Sequence, residues 1–279
     1  MKVGIAGLGL IGGSMAKAVK KKTEHTVLVL DINENVINSA LEENVADGVL
    51  NKDTVADCDV LIIALYPDSC LSFLEEYAPF IPKHCIVFDC AGTKTKVCNC
   101  GFKLSEKYGF CFIGAHPMAG IEKSGYEFSF ADLFNGASFI IVPKENESKN
   151  NLNFIEIFAL SLGFGRITKT TAEIHDKTIA YTSQLAHVAS SAYIKSPATQ
   201  LHAGFSAGSF KDLTRVAYLN ESMWSQLFLE NKEFLVEEID ILLEHLTQYR
   251  DAIKNNDRET LFALLKDGKE KKVSSESEG

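Results

Sequence analysis

The sequence predicts an α/β protein, an N-terminal doubly wound Rossmann-type parallel sheet followed by an all-α helical domain. Three observations lead there. A glycine-rich GLGLIGGS segment, Gly7 to Ser14, stands between an apolar strand-like run and a helix-like one. Short apolar runs then alternate with helical segments as far as residue 169, the signature of a doubly wound sheet. From Thr170 onward the helical period takes over. The expected division is 1–169 for the sheet domain, 170–267 for the helical domain, and 268–279 for a charged, serine-rich tail with too few apolar residues to order itself.

Lys2 to Ala6 reads as the first strand, and Leu10 to Lys22 as the helix that follows the glycine turn. Gly7, Gly9 and Gly12 occupy the three fingerprint positions: one permits the turn, one lets the backbone approach phosphates, and one lets helix pack close to strand. The helix N-terminus at Leu10 and Ile11 then faces negative charge. Thr26 to Leu30 is a second strand, ending in Asp31 nineteen residues beyond Gly12, where a ribose-binding acid belongs. A carboxylate there accepts from a 2′-hydroxyl and repels a 2′-phosphate, and neither Ile32 nor Asn33 supplies a cation. The cofactor expected is NAD rather than NADP.

Asp59–Leu65, Cys85–Asp89, Cys111–Ala115, Ser138–Val142 and Gly163–Thr168 read as further strands, with helices through about Tyr77 and over Leu152–Leu162, and a polar loop over Lys144–Asn151. Loops leaving the C-terminal ends of such strands face the cofactor crevice. That places Ala91 to Lys94, with Thr93 as a cofactor contact, and the segment GAHPMAG, Gly114 to Gly120, beside it. The segment fixes His116 in a tight, proline-restrained loop, where it can serve as a base for whatever the cofactor oxidises.

Composition narrows the class. With 279 residues and 46% hydrophobic content the chain can fill the cores of two domains. A net charge of −9 argues against general nucleic-acid binding. Apolar runs such as Val60–Tyr66 are too short to span a membrane, and the start lacks a signal-peptide cleavage site. The seven cysteines (Cys58, Cys70, Cys85, Cys90, Cys98, Cys100 and Cys111) are an odd count without paired metal-ligand spacing. They read as reduced thiols of a cytoplasmic protein, with no metal site.

In the helical half, Thr170 and Glu173 form a capping box, opening a helix that can run to Ser196 before Pro197. Asp176, Ser183 and His187 fall on one stripe of it; the residues alone favour a solvated face. Lys211, Asp212 and Arg215 share one face of the next helical turn, a pattern that by itself is usually only surface. Ser222 opens a long helix whose apolar residues, from Leu235 through Ile239, Leu242, Leu246, Tyr249 and Ile253, step by three and four, which suits lengthwise packing. A final helix starts at Asp257.

Taken together, GLGLIGGS, GAHPMAG followed by Glu122 to Gly125, the stretch from Ser183 to His187, and FKDLTRVA with Trp224 nine residues after its arginine resemble the prephenate dehydrogenase family over all but the tail. The resemblance implies NAD-dependent oxidative decarboxylation of prephenate to 4-hydroxyphenylpyruvate in tyrosine biosynthesis. It implies His116 as the catalytic base and Arg215 as the carboxylate anchor. Ser183, His187, Lys211 and Trp224 take pocket positions, and Glu122, Asp176 and Asp212 an ionic network around the arginine. It further implies a homodimer formed through the helical domain, and a monofunctional form lacking ACT and chorismate mutase domains. Two positions depart from the family pattern: Gly92 stands where a serine often supports the histidine, with Thr93 the neighbouring hydroxyl, and Ile121 replaces a hydroxyl-bearing residue before Glu122. Arogenate dehydrogenase and β-hydroxyacid dehydrogenase are the related alternatives, although the latter leaves the GAHPMAG loop unexplained. An NAD-sensing regulator without catalysis is the remoter one.

Asp31 yields a direct test of the cofactor expectation. Initial rates should strongly favour NAD over NADP, and Asp31→Ala should narrow the gap chiefly by weakening NAD. A wild-type rate that is faster with NADP at equal low concentrations overturns that assignment.

Overall fold

The computed structural model describes residues 1–277. Strand β1 (Lys2–Ala6) is buried from Val3 onward and lies inside an eight-stranded sheet, between β2 (Thr26–Leu30) and β4 (Val60–Ile63). The other strands are β3 (Gly48–Val49), β5 (Ile86–Asp89), β6 (Cys111–Met118), β7 (Ser138–Pro143) and β8 (Arg166–Lys169), in the order β3-β2-β1-β4-β5-β6-β7-β8. Neighbouring strands are parallel except β6 and β7, which run antiparallel with His116 opposite Ile140 and Pro117 opposite Phe139. The sheet is therefore mixed where a fully parallel one was expected. Between β6 and β7 the chain makes a single 3-10 turn, Tyr126–Phe128, and lacks the crossover helix that a parallel connection requires. The same pairing extends β6 three residues beyond Ala115, so His116 stands on a strand and not in a loop.

Helices α1 (Leu10–Lys22), α2 (Glu34–Glu42), α3 (Pro67–Tyr77), α4 (Thr95–Tyr108) and α5 (Lys149–Ser161) cover the two faces, each with its own apolar core. One core gathers Ile5, Met15, Ile62, Phe88 and Phe139; the other gathers Leu61, Leu74, Val87, Val97 and Phe112. Helix α5 starts three residues earlier than expected, because the Ser148 hydroxyl accepts the Asn151 amide and closes the first turn. Helix α4 lies close against β6: a Cβ on Gly101 would run into the Phe112 ring, and one on Gly114 into the Cys98 sulfur.

The segment after β8 departs further from expectation. Thr171, not Thr170, caps α6 (Ala172–Ile179), and the helix passes through a π-helical turn, Ala180–Leu185, into α7 (Ala186–Tyr193). There follow α8 (Gly208–Thr214), a 3-10 turn at Arg215–Ala217, and α9 (Glu221–Glu230), capped by Asn220. The long helix expected from Ser222 is thus two helices, interrupted at Asn231. The Asn231 side chain is turned inward, donating to the Asp176 carbonyl and to Gln184 Oε1, each at 2.8 Å. Contacts divide the chain after Asn231, and α6 to α9 pack with the sheet in the first unit.

From Lys232 the second unit holds α10 (Lys232–Lys254) and α11 (Arg258–Ser277). The disordered tail expected from Gly268 is helical as far as Ser277, and residues 278 and 279 lie outside the described residues. Charge pairs one turn apart, Lys266 with Glu270, Lys271 with Asp267 and Lys272 with Glu276, let a polar segment stay helical. Among the described residues no helix is long and apolar enough to cross a membrane.

Candidate active site

The turn after β1 has the geometry of a nucleotide cradle. Gly7 adopts φ +90°, where a side chain would strain the backbone and meet the Ala64 carbonyl; a Cβ on Gly12 would strike the Gly7 carbonyl. Beside Gly9 a Cβ would meet no atom within 4 Å, which leaves open space in front of the α1 N-terminus, whose first turn carries no acidic residue. Asp31 faces this turn, accepting the Leu8 amide at 2.7 Å and the Asn33 amide at 2.9 Å. Glycines that admit phosphates, a bare helix terminus at Leu10 and Ile11, and an acid at the end of β2 together fit a dinucleotide.

Across the sheet, His116 sits near the C-terminal end of β6. Its Nδ1 lies 2.9 Å from His175 Nε2, and His175 Nδ1 lies 2.7 Å from Asp176 Oδ1. The Asp176 carboxylate also accepts the Lys94 amide at 2.7 Å, the Thr95 amide at 2.8 Å and the Thr95 hydroxyl at 2.5 Å, so it caps α4 across the chain. Beneath it a fully buried ion pair joins Lys94 to Asp89. The Lys94 ammonium donates to the Ala115 carbonyl at 2.6 Å, and Asp89 accepts the amides of Ala91 at 2.9 Å and Ala115 at 3.0 Å. Burial works to lower the Lys94 pKa, but Asp89 overrides it and holds the ammonium charged.

Burial, then His175 and Lys94, drive the His116 pKa well below that of an ordinary histidine, with only Asp176 opposing. His175, itself 2% exposed, is lowered first by burial against the pull of Asp176. Burial tends to raise Asp176, yet the hydrogen bonds from His175, Thr95 and the two backbone amides outweigh it and hold the carboxyl below its ordinary value. Near neutral pH the row therefore reads carboxylate, neutral imidazole, neutral imidazole.

A second cluster is built on the π-helical turn, a feature often found at functional sites. His187 Nδ1 donates to the Ser183 carbonyl at 2.8 Å, and its ring lies against Trp224 with centroids 4.0 Å apart. Burial lowers the His187 pKa, and Arg215 lowers it further against the Ser183 carbonyl. Arg215 forms an exposed ion pair with Glu122. Lys211 and Asp212 lie exposed on α8, one turn or less before Arg215.

Several expected placements change. Asp176 belongs to the His175 and α4 network, not to the ions around Arg215. Thr93 is buried and donates its hydroxyl to Glu230 at 2.6 Å, so it does not support His116. A Cβ on Gly92 would come within 3.1 Å of the Leu227 side chain. Sequence reasoning missed His175, Lys94, Asp89 and Glu230. His175 was signalled only by standing next to Asp176. Burial raises the cysteine thiols, Cys58 to about 11 and Cys98 to about 12, which keeps them protonated near neutral pH. Among the described residues no group of three or more His, Cys, Asp or Glu is placed to hold a metal ion.

The fold and cradle define a nucleotide-binding α/β protein that carries a histidine network near the strand ends. Residues 15–167 match the family described as "Prephenate dehydrogenase, nucleotide-binding domain", and residues 171–267 match "Prephenate dehydrogenase, dimerization domain". The chain belongs to the prephenate dehydrogenase family. It is 30% identical to a cyclohexadienyl dehydrogenase of Zymomonas mobilis over 98% of this chain and 95% of the relative, and 29% identical to a prephenate dehydrogenase of Bacillus subtilis over 95% and 74%. A solved prephenate dehydrogenase from A. aeolicus, in complex with hydroxyphenyl propionate and NAD+, superposes with a TM-score of 0.82 at 27% identity, covering 98% of each chain.

The lowered histidines make stability depend on pH with a definite sign. Unfolded histidines titrate near about 6.5. His116, His175 and His187 bind protons less readily when folded, so their contribution is complete above that value and is lost as pH falls below it toward their folded values. The carboxylate of Asp176, also lowered, is lost only in stronger acid. Melting temperature should thus drop from pH 7 to pH 5, and His116→Asn should drop less steeply. A melting temperature that rises on acidification contradicts this account.

Proposed function

We propose that this protein oxidises prephenate with NAD, releasing carbon dioxide and 4-hydroxyphenylpyruvate, and that His116 is its base. The observation that carries the reading is the state of His116: neutral near neutral pH, engaged through Nδ1, and half-buried at the end of a strand. Gly7, Gly9, Leu10, Ile11, Gly12 and Asp31 would hold NAD, which when bound would supply the hydride acceptor. His116 Nε2 takes the proton of the ring hydroxyl as hydride leaves the same carbon. The carbon–carboxylate bond then breaks, its electron pair completes the aromatic ring, and the proton returns to the phenol oxygen. Aromatisation drives the step forward.

Arg215 grips a substrate carboxylate through a bidentate pair, exchanging Glu122 for the substrate. His187, Ser183 and Trp224 form the wall beside it, and Lys211 adds positive charge one turn earlier. Nothing in this arrangement reads the side chain that distinguishes arogenate from prephenate, and a relative carries the broader name cyclohexadienyl dehydrogenase. Initial rates with both substrates separate the two readings. The free thiols suit a reducing cytoplasm.

His116→Asn should lower kcat by about 10²–10⁴, the worth of a positioned base, while substrate still binds. Arg215→Ala should raise KM by one to two orders of magnitude, roughly the 1.5–3 kcal/mol of a charge-assisted pair; Arg215→Lys should recover only part. Exposed ion pairs contribute about 0–1 kcal/mol, so the Arg215 variants should keep their melting temperature. Normal KM with reduced stability would make Arg215 a structural residue.

The assembly follows from the second unit. Along α10 and α11 the side chains of Val236, Leu243, Leu246, Ile253, Phe262 and Leu265 are each more than half exposed, an apolar load that a lone helix pair leaves in water. A second copy of the chain covers it. Sedimentation should give twice 30.7 kDa, and a fully active monomer at micromolar concentration refutes the dimer.

A further inference from the structure

We propose that His175 is a positioning residue which, held by Asp176, sets the tautomer of His116 and so leaves His116 Nε2 bare as the accepting atom. The inference rests on the reading of His116 as the base and concerns what makes that base usable. A carboxylate can only accept, so the 2.7 Å contact obliges His175 Nδ1 to carry a proton and donate it to Asp176 Oδ1. A neutral His175 then has its lone pair on Nε2. At 2.9 Å that lone pair must be met by a proton on His116 Nδ1. The remaining nitrogen of His116, Nε2, is unprotonated, which is what proton abstraction needs.

The reverse order is unfavourable. If His175 Nε2 held the proton of a neutral ring, its Nδ1 lone pair would face the Asp176 carboxylate, two acceptors at 2.7 Å. Relief would require a proton on Asp176, which the donation from the Thr95 hydroxyl and the amides of Lys94 and Thr95 disfavours by stabilising the carboxylate. The charged groups around the histidine pair are Asp176 on α6 and the buried Lys94 and Asp89 at the junction of β5 and α4. Lys94, bonded to the Ala115 carbonyl beside His116, opposes a second positive charge there, while Asp176 balances the one that forms. When His116 takes the substrate proton, its Nδ1–H bond to His175 becomes charge-assisted. No proton has to move along the row.

Protonation of His175 makes both of its nitrogens donors, forces His116 Nδ1 to accept, and places the His116 proton on Nε2. Acid thus disables the base through its neighbour as well as by direct protonation.

The test is nitrogen-15 NMR of the histidine side chains together with steady-state kinetics on the full chain. In the wild type at pH 8, His116 should show a protonated Nδ1 and a bare Nε2. His175→Phe keeps a ring but removes the acceptor: the His116 signals should shift toward the other tautomer, and kcat should fall about 10- to 10³-fold, part of what a positioned base is worth, with KM for both substrates within about twofold. His175→Gln, whose amide oxygen can still accept from His116, should recover part of both, and it carries the test if the phenylalanine variant does not fold. A wild-type His116 protonated on Nε2 at pH 8 overturns the proposal, as does an unchanged tautomer and kcat in both variants. If the wild type fails to turn over prephenate, the reading of the function falls, but the tautomer measurement still decides the role of His175.

Discussion

One carboxylate, that of Asp176, holds the catalytic region together. It stands on α6, well over a hundred residues from the glycine turn in sequence, yet it terminates α4 by accepting two of the backbone amides that a helix N-terminus leaves unpaired. A negative charge at that point also meets the positive end of the helix dipole. Because the same carboxylate holds the His175 ring, the orientation of His116 depends on how α6 docks against the sheet. Packing and proton placement are here one interaction.

The buried ion pair of Lys94 and Asp89 belongs to the same design. Taking two charges out of water costs several kcal/mol each, and such a pair is rarely a net source of stability. What offsets the cost is the set of additional hydrogen bonds: Lys94 to the Ala115 carbonyl, and the amides of Ala91 and Ala115 to Asp89. These bonds tie the loop after β5 to the strand that carries His116. The pair therefore fixes a position, and it leaves a positive charge near His116 that helps to keep that ring neutral.

The cluster around Arg215 is built differently. Ser183 lies on the π-helical turn and His187 just after it on α7, Trp224 lies on α9, and Arg215 follows α8 in a single 3-10 turn with most of its side chain in water. Few buried bonds hold this cluster, and Arg215 rests on Glu122, a partner it can leave at small cost. The histidine row is buried and bonded at each step, while the Arg215 cluster is open to water. That contrast suits the proposed reaction, in which a base is placed to within a hydrogen bond and a substrate enters and departs.

Most of the sheet domain was legible in the sequence because its signals are local. Alternating apolar runs marked the strands, the spacing of Gly7, Gly9 and Gly12 marked the turn, and Asp31 followed at the distance a βαβ unit imposes. Family motifs pointed to His116, Ser183, His187 and Arg215 one at a time. What the tertiary structure alone decided were pairings between distant segments: β6 against β7 with reversed direction, the hydrogen bonds from the Asn231 side chain to Gln184 and the Asp176 carbonyl where α9 ends, and the Asp176 carboxylate on the α4 N-terminus. His175 is the clearest case. In the sequence it is a histidine on a helix whose single signal is its place beside Asp176. Only the docking of α6 onto β6 and α4 brings its two nitrogens between a carboxylate and a second imidazole, because hydrogen bonds depend on distances in space that residue spacing along the chain does not contain.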